Sequence, residues 1–578
     1  MSPGIRRALA SFAAAAIAAT ASGAGVFAQP QALAVTYSRQ APDSQAVVKR
    51  ARQLQSKFER QRRQMLPRFY SGGARRCVII GRFCYWDDDI PNDAVPEEGA
   101  NIRRARARFL RDLEEAAKAV PGDDWIAGQR VRYHVEAHDT LAVEVARSCA
   151  ATRWWCDALT GYALHAAGDF AAADSAFSAA LDGMPGAMHC HWINVAPLLD
   201  SDRREYRRLP CDERKTLVRR IWWLADPLLM VPGNDRRTEH FSRVLHTMLV
   251  KDDGISAFGG SWGGDLAELT VRFGWPEKWT QQPLTGMQTT PAISGHDRDG
   301  GAHFFPNQWP PDSLALVADS IWQMDRSPAQ EVYGPSYARS FARLDAQVAR
   351  FRRGDSTLIV AAYDVAADTL FRARKLRAAL VAMGDETSPP AAHEVAEAQN
   401  RQVLTVTTPW KSQLIGVELL AHDSAGAARW RSGFSEIPLE PGRISVSDLL
   451  FVEGAPSLPG SLAEAIPRAH GGTEFARNTK IGLFWELYGE APADSALPVS
   501  LTISPLETGL LRSALGVLRV APRPTPLNVR WQDNGASGVL SARSLLLDLS
   551  LLPSGKYEVR LDVGTTRIAT TRRVIRIR

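Results

Sequence analysis

Residues 293–309, ISGHDRDGGAHFFPNQW, place His296, Asp297, Asp299 and His303 within eight positions. Two imidazoles and two carboxylates so close in sequence could hold a divalent cation or relay protons. Glycines 295, 300 and 301 loosen the stretch, however, and no i, i+4 pair fixes a ligand geometry. The other reading is a surface or partner-binding loop anchored to the core by Phe304 and Phe305. Upstream, Gly259-Gly260-Ser261-Trp262-Gly263 fits G-x-S-x-G, the pattern of a nucleophile elbow. Such an elbow needs a strand before the serine and a helix after it. The preceding VKDDGISAFG is polar and broken by glycine, a poor buried strand. After Asp265, apolar Ala267, Leu269, Val271 and Phe273 alternate with Glu268, Thr270 and Arg272, which predicts a strand, although Leu266, Leu269 and Phe273 also suit a helix face. The pattern favours a tight glycine turn with Trp262 packed as an anchor over a catalytic Ser261. Ser261, His296 and His303 are the catalytic candidates, His296, Asp297, Asp299 and His303 the metal candidates; the expectation is no catalytic group, metal or cofactor.

Elsewhere the chain holds no convincing phosphate-binding glycine loop, zinc-protease HExxH or CxxC pair. The acidic stretch YWDDDIPND (85–93) lacks the alternating oxygen spacing of a calcium loop, so it reads as solvated. The balance of 69 basic against 63 acidic residues is too mild to argue for nucleic acid. One basic run, KRARQLQSKFERQRRQ (49–64), reads as the solvated face of a helix with Glu59 among the cations.

MSPGIRR followed by the small, apolar ALASFAAAAIAATASGAGVFA reads as a secretory signal cleaved near Ala28. The membrane is expected as a partner only if cleavage fails and the segment stays as an anchor. Export makes the six cysteines disulfide candidates. Neighbour pairing is the simplest scheme. A two-residue turn at Ile80-Gly81 would set Cys77 opposite Cys84, Cys149 and Cys156 would staple two helices, and Cys190 would be left for Cys211. The rival is a zinc site at His189-Cys190-His191, disfavoured because adjacent side chains point apart.

These residues need elements to hold them. NIRRARARFLRDLEEAAKAV (101–120) has helical spacing and would stop before Pro121-Gly122. DALTGYALHAAGDFAAADSAFSAALDGMP resembles a tetratricopeptide repeat. Gly161 and Leu164 lie on its first helix, Gly168-Asp169-Phe170 make the turn, Ala173, Phe177 and Ala180 line the second helix, and Pro185 ends the unit. Residues 125–149 read as a degenerate partner. Such repeats commonly bind protein segments in a groove.

The next region carries Leu209, Asp212-Glu213-Arg214, Trp222-Trp223, Asp226-Pro227, Asn234, Arg237, Glu239-His240 and Arg243. This series, followed by Ser261-Trp262-Gly263-Gly264-Asp265 and Gly274-Trp275-Pro276, resembles the GWxTD domain of exported bacterial proteins. Ser261 and Gly264 stand where the name motif has glycine and threonine. The resemblance implies a turn, then a strand over Leu266–Phe273, and marks Asp226, Pro227, Asn234, Arg237, Glu239, His240, Trp262, Asp265, Gly274 and Pro276 as motif positions. The family has no assigned activity, so it implies an architecture and no reaction.

From about 355 onward short β-rich segments alternate with turn residues, which predicts two antiparallel β-sandwich modules. LDLSLLPSGKYEVRLDV looks like a closing immunoglobulin-like hairpin. The expected class is multidomain α+β. A signal (1–28) precedes a helical region with a Cys hairpin (29–121), TPR-like repeats (122–202) and a mixed α/β GWxTD-like domain (203–350). A β-rich module (351–470) and an immunoglobulin-like sandwich (471–578) complete the chain. The expected function is an exported, non-enzymatic scaffold in the periplasm or outside the cell, binding another protein or an envelope component. The alternative is a hydrolase or metal-dependent enzyme centred on 259–309.

Overall fold

A computed structural model describes residues 43–70, 78–85, 91–199, 202–253, 262–283, 292–299, 301–306, 313–324, 331–437, 443–454, 457–489, 496–506, 526–533, 540–564 and 568–578. The signal-like segment, Ser261, Cys77 and most of the acidic stretch lie outside them.

Helix α1 (Ser44–Gln64) carries the basic run, but it is not simply a solvated face: Gln55, Glu59 and Arg62 are buried. A hairpin follows, β1 (Val78–Ile80) with β2 (Phe83–Tyr85). Its two turn residues are Gly81 and Arg82, one step later than the sequence suggested, because Gly81 supplies a φ of +54°. Cys84 therefore stands opposite Ile79 and not Cys77; it is disulfide-bonded.

α2 (Ala100–Ala119) buries Ile102, Ala105, Phe109, Leu113 and Ala116 along one stripe and stops at Val120, as Pro121 requires. Helices α3 (Asp124–Val135), α4 (Ala142–Arg147), α5 (Arg153–Ala166), α6 (Phe170–Gly183) and α7 (Gly186–Trp192) continue the array. The α5–α6 pair has the expected anatomy. Gly168 turns at φ +81°, and Asp169 caps α6 by accepting from the Ala172 N–H at 3.1 Å. A Cβ on Gly161 would sit 2.9 Å from the Phe177 ring, so only glycine lets the helices close. Cys149–Cys156 and Cys190–Cys211 are bonded as the neighbour scheme has it.

Then come α8 (Arg203–Arg208), α9 (Cys211–Ala225), α10 (Asp235–Val250) and α11 (Gly264–Phe273). α11 corrects the expected strand. Its buried residues include Leu266, Leu269, Thr270 and Phe273, the i, i+3, i+4, i+7 stripe, while Ala267 and Val271 of the alternating set are only partly buried. The 3.6 period won because one stripe meets the Ile80–Val332 cluster and Gly274, at φ +91°, ends the helix. β3 (Lys278–Gln281) and β4 (Ile293–His296) form a small antiparallel pair beside it.

Two sandwiches complete the described chain. The first has a sheet of β6 (Ala346–Arg353), β7 (Ser356–Asp364) and β10 (Arg401–Pro409). Its second sheet has β5 (Phe341–Arg343), β8 (Leu376–Met383), β9 (Ala391–Ala398), β11 (Gln413–Ala421) and β12 (Ala427–Phe434). The second module has one sheet of β13 (Ser445–Val446), β14 (Leu450–Glu453), β16 (Lys480–Tyr488) and β19 (Leu540–Asp548). Facing it are β15 (Glu474–Phe475), β17 (Leu497–Pro505), β18 (Leu527–Asp533), β20 (Gly555–Val563) and β21 (Ala569–Ile577). A four-residue helix, α12 (Leu462–Ala465), lies between β14 and β15. Each module fills its interior with alternating residues, for example Val559, Leu561 and Val563 of β20. The module break thus falls between β12 and β13, ahead of the expected boundary at 470/471. β19 and β20 belong to opposite sheets, so LDLSLLPSGKYEVRLDV is a crossover; β20–β21 is the closing hairpin.

The first module is tied to the helices by a buried pair. Arg431 meets Glu418 at 2.8 Å with both side chains fully buried, and Glu418 accepts the Leu229 and Met230 N–H groups. No described helix is long and apolar enough to cross a membrane.

Candidate functional site

Helix α10 is buried almost all round, yet it carries Glu239, Ser242, Arg243 and His246 at i, i+3, i+4 and i+7, a polar stripe. That stripe faces a cavity of about 240 Å³ closed by α3, α5 and the chain around 273–279, 297–298 and 332–336. Glu239 is the hub. Its carboxylate lies 2.7 Å from His165 Nε2 and accepts from Arg243 Nε at 2.5 Å. Burial alone would raise this carboxyl, but Arg243 and His165 more than offset it and hold it well below the usual range.

Arg243 also donates to the carbonyls of Arg272 and Val332, both at 2.8 Å, fastening the end of α11 and the 332 segment to α10. Gly274 passes so close that a Cβ there would lie 3.1 Å from Arg243 Nη2. On the opposite wall Glu136 accepts from Arg132 at 2.7 Å and from Arg62 at 2.8 Å. Those guanidiniums outweigh the desolvation of Glu136 and keep it ionised. His246 Nδ1 is 3.2 Å from the Tyr162 hydroxyl. Burial, with Arg132 nearby, pushes His246 down to about 3, so its ring is uncharged at neutral pH. At the rim Arg298 reaches Glu277 at 3.3 Å, and Asp297 accepts from the Tyr85 hydroxyl at 2.8 Å.

The four residues of the HDRDGGAH stretch have separate partners. His296, on β4, is buried with Nε2 2.8 Å from Thr280 Oγ1 and its ring against Phe69. Asp299 accepts from the Asn92 N–H at 3.0 Å. His303 Nδ1 lies 3.0 Å from Glu331, which is fully buried and also pairs with Arg236 at 2.8 Å. Phe304 and Phe305 are buried anchors, as expected. Among the described residues no group of three His, Cys, Asp or Glu side chains could hold a metal ion. Trp262 packs partly buried against the Ile80–Leu266 cluster.

Of the motif positions, Glu239, Gly274 and Pro276 line the cavity. The others brace it. The Asp226 carbonyl accepts from Arg431 at 2.8 Å, and that of Pro227 from Arg429 at 2.8 Å. Asn234 caps α10 through the Arg237 N–H, Arg237 pairs with Asp174, and His240 Nε2 meets the Trp192 carbonyl at 3.1 Å. Asp265 holds Arg82 at 2.7 Å, joining α11 to the β1–β2 turn. Sequence reasoning did not single out Arg62, Glu136, Tyr162, His165, Ser242 or His246. The available signal was the i, i+3, i+4, i+7 spacing of Glu239, Ser242, Arg243 and His246 along α10.

No family model matches the chain, and no curated protein does. Among solved structures, a two-domain fibronectin type-III segment of chicken tenascin is 11% identical, covers 40% of this chain and 98% of its own, with a TM-score of 0.13. The chicken CNTN1 FN1–FN3 domains are 10% identical over 41% of this chain and 68% of theirs, at 0.15. Red sea bream transglutaminase is 11% identical over 57% and 45%, at 0.14. At these scores the likenesses say nothing of what this chain does.

Proposed function

We propose that this is an exported, non-enzymatic binding protein of the cell envelope. In this reading a GWxTD-like domain and the helical array jointly frame a recognition cavity, and the two β-sandwich modules carry it. The observation behind it is the mutual pairing of the charged groups that line the cavity. Glu136 is held by Arg62 and Arg132, Glu239 by Arg243 and His165, and Glu277 by Arg298. Glu136 and Glu239, kept ionised by these neighbours, are poor general acids, and a histidine pushed down to about 3 is a poor base near neutrality. The disulfides suit an oxidising compartment. A hydrolase would need a histidine beside Ser261 free to take its proton, and His296 is buried with Nε2 2.8 Å from Thr280 Oγ1.

The test places a photo-crosslinking amino acid at Ser336, an exposed cavity-lining residue, in intact cells. An envelope adduct that disappears with Glu239→Gln supports the reading. Ester or amide turnover by the purified chain that is lost in Ser261→Ala would overturn it in favour of the hydrolase.

A further inference from the structure

Among the described residues, Ser242 Oγ and His246 Nε2 find no hydrogen-bond partner, on residues 4% and 3% exposed. They stand one turn apart on α10, and both residues line the cavity. Serine inside a helix ordinarily bonds back to the carbonyl four residues earlier; this one is left for something else. Beside them the Trp275 ring lies tilted, 4.4 Å from the His246 ring and 5.2 Å from Trp279, giving the cavity an aromatic wall.

We propose that this cavity takes one ring of an uncharged carbohydrate, a terminal pyranose unit with free hydroxyls. This rests on the binding reading and names its ligand. Three exclusions lead to it. A charged ligand would have to break ion pairs that already satisfy one another, leaving a buried charge uncompensated. A purely apolar ligand would leave the serine oxygen and imidazole nitrogen buried and unpaired, the costly outcome for any polar atom. A drug-sized molecule is too large, since such sites run to roughly 300–1,000 Å³ and this one is about 240 Å³. A pyranose meets the remaining demands. Its hydroxyls both donate and accept, as Ser242 and either tautomer of His246 require. They also suit the carboxylate lone pairs that Glu136 and Glu239 retain beyond their arginine contacts. Its C–H face lies against an indole ring through dispersion and the ring's negative face.

Saturation-transfer NMR and titration calorimetry on the full mature chain test this with methyl glucoside, methyl galactoside and N-acetylglucosamine. Glutamate, inorganic phosphate, adenosine and cyclohexanol serve as controls. The expected result is transfer to ring C–H protons of at least one glycoside and none for the controls. Ser242→Ala should weaken binding roughly three- to tenfold, the loss of one neutral hydrogen bond, and Trp275→Ala should abolish it. If Trp275→Ala fails to fold, Ser242→Ala decides alone. The proposal falls if no glycoside binds, if Ser242→Ala binds as tightly as the native chain, or if only a charged ligand or the nucleoside binds. A Glu239-dependent crosslink from Ser336 alongside failed glycosides would leave the binding reading standing and remove the carbohydrate; loss of both would remove both.

Discussion

Arg243→Met is the sharpest test of how the cavity is built. The guanidinium is 6% exposed and bonds Glu239, the Arg272 carbonyl and the Val332 carbonyl. Methionine keeps much of the volume and none of the donors. Removing one partner of a buried pair costs about 3–5 kcal/mol, because the remaining charge is left uncompensated. The adjoining cavity admits water to the orphaned groups, so the lower figure applies. About 3 kcal/mol corresponds to roughly a hundredfold change in a local opening equilibrium. Hydrogen exchange read by mass spectrometry on peptides covering 264–276 and 331–334 would report it, with β20 as the unaffected reference. Gly274→Ala supplies a second arm. Its φ of +91° strains any side chain, and the new Cβ would sit 3.1 Å from Arg243 Nη2. Combined with Arg243→Met, where that guanidinium is gone, Gly274→Ala should cost less than it does alone, a coupling of about 0.5 kcal/mol or more. Protection within about threefold of the native chain in Arg243→Met, or strictly additive effects, would refute the idea that this guanidinium fastens α10 to α11 and the 332 segment.

Acid should act through named groups. The folded-state carboxyl of Glu239 titrates below its unfolded value, so its stabilisation is complete above about pH 4.3 and lost as pH falls through the lower folded value. Glu239→Gln should flatten that acid limb in a pH series of thermal unfolding; an unchanged limb would count against the pairing. His246 is also depressed, to about 3, so the unfolded chain binds its proton first as pH falls below about 6.5. Relative to His246→Gln, the native chain should therefore gain stability as pH rises from about 4 to about 7, and an opposite slope would contradict a buried neutral ring. Replacing both Cys190 and Cys211 by serine opens a loop with a sequence separation of 21. This should cost about 3 kcal/mol, read as a lower midpoint in far-UV circular dichroism dominated by the helical half.

Local chemistry was legible wherever one residue dictates one geometry. Gly168 and Asp169 announced the α5–α6 turn, Pro121 the end of α2, and the period-two strands the sandwiches. Legibility failed where two periods fit the same residues. LAELTVRF satisfies both alternation and a helical stripe, and the neighbours Ile80 and Val332, about 185 and 65 positions away in sequence, decide for the helix. It failed again for β19, whose sheet is chosen by pairing with β16 and not by the turn that follows it. The cavity was the least legible feature. Its walls come from α3, α5 and α10 and from three loops, so no window of sequence contains it; the HDRDGGAH stretch, dense in ligand-type residues, spends them on bracing contacts instead.

The polar stripe of α10 is hard to account for as a device for stability. A buried ion pair gains little net free energy over well-packed apolar side chains of similar volume, because the desolvation of both charges cancels most of their attraction. Leucine or methionine at positions 239, 243 and 246 with matching apolar residues across the junction would hold the helices at least as well. The charged members of the stripe do find partners beyond each other, and each comes from a different element: His165 from α5, the Arg272 carbonyl from the end of α11, and the Val332 carbonyl from the 332 segment. What distinguishes Ser242 and His246 is that they do not close the network among themselves. An arrangement that spends its charges on fixing geometry, and leaves two neutral polar atoms beside an indole ring, is preorganised for a third party. The glycoside titration and the Ser242→Ala variant therefore probe the one part of the stripe that the fold itself does not use.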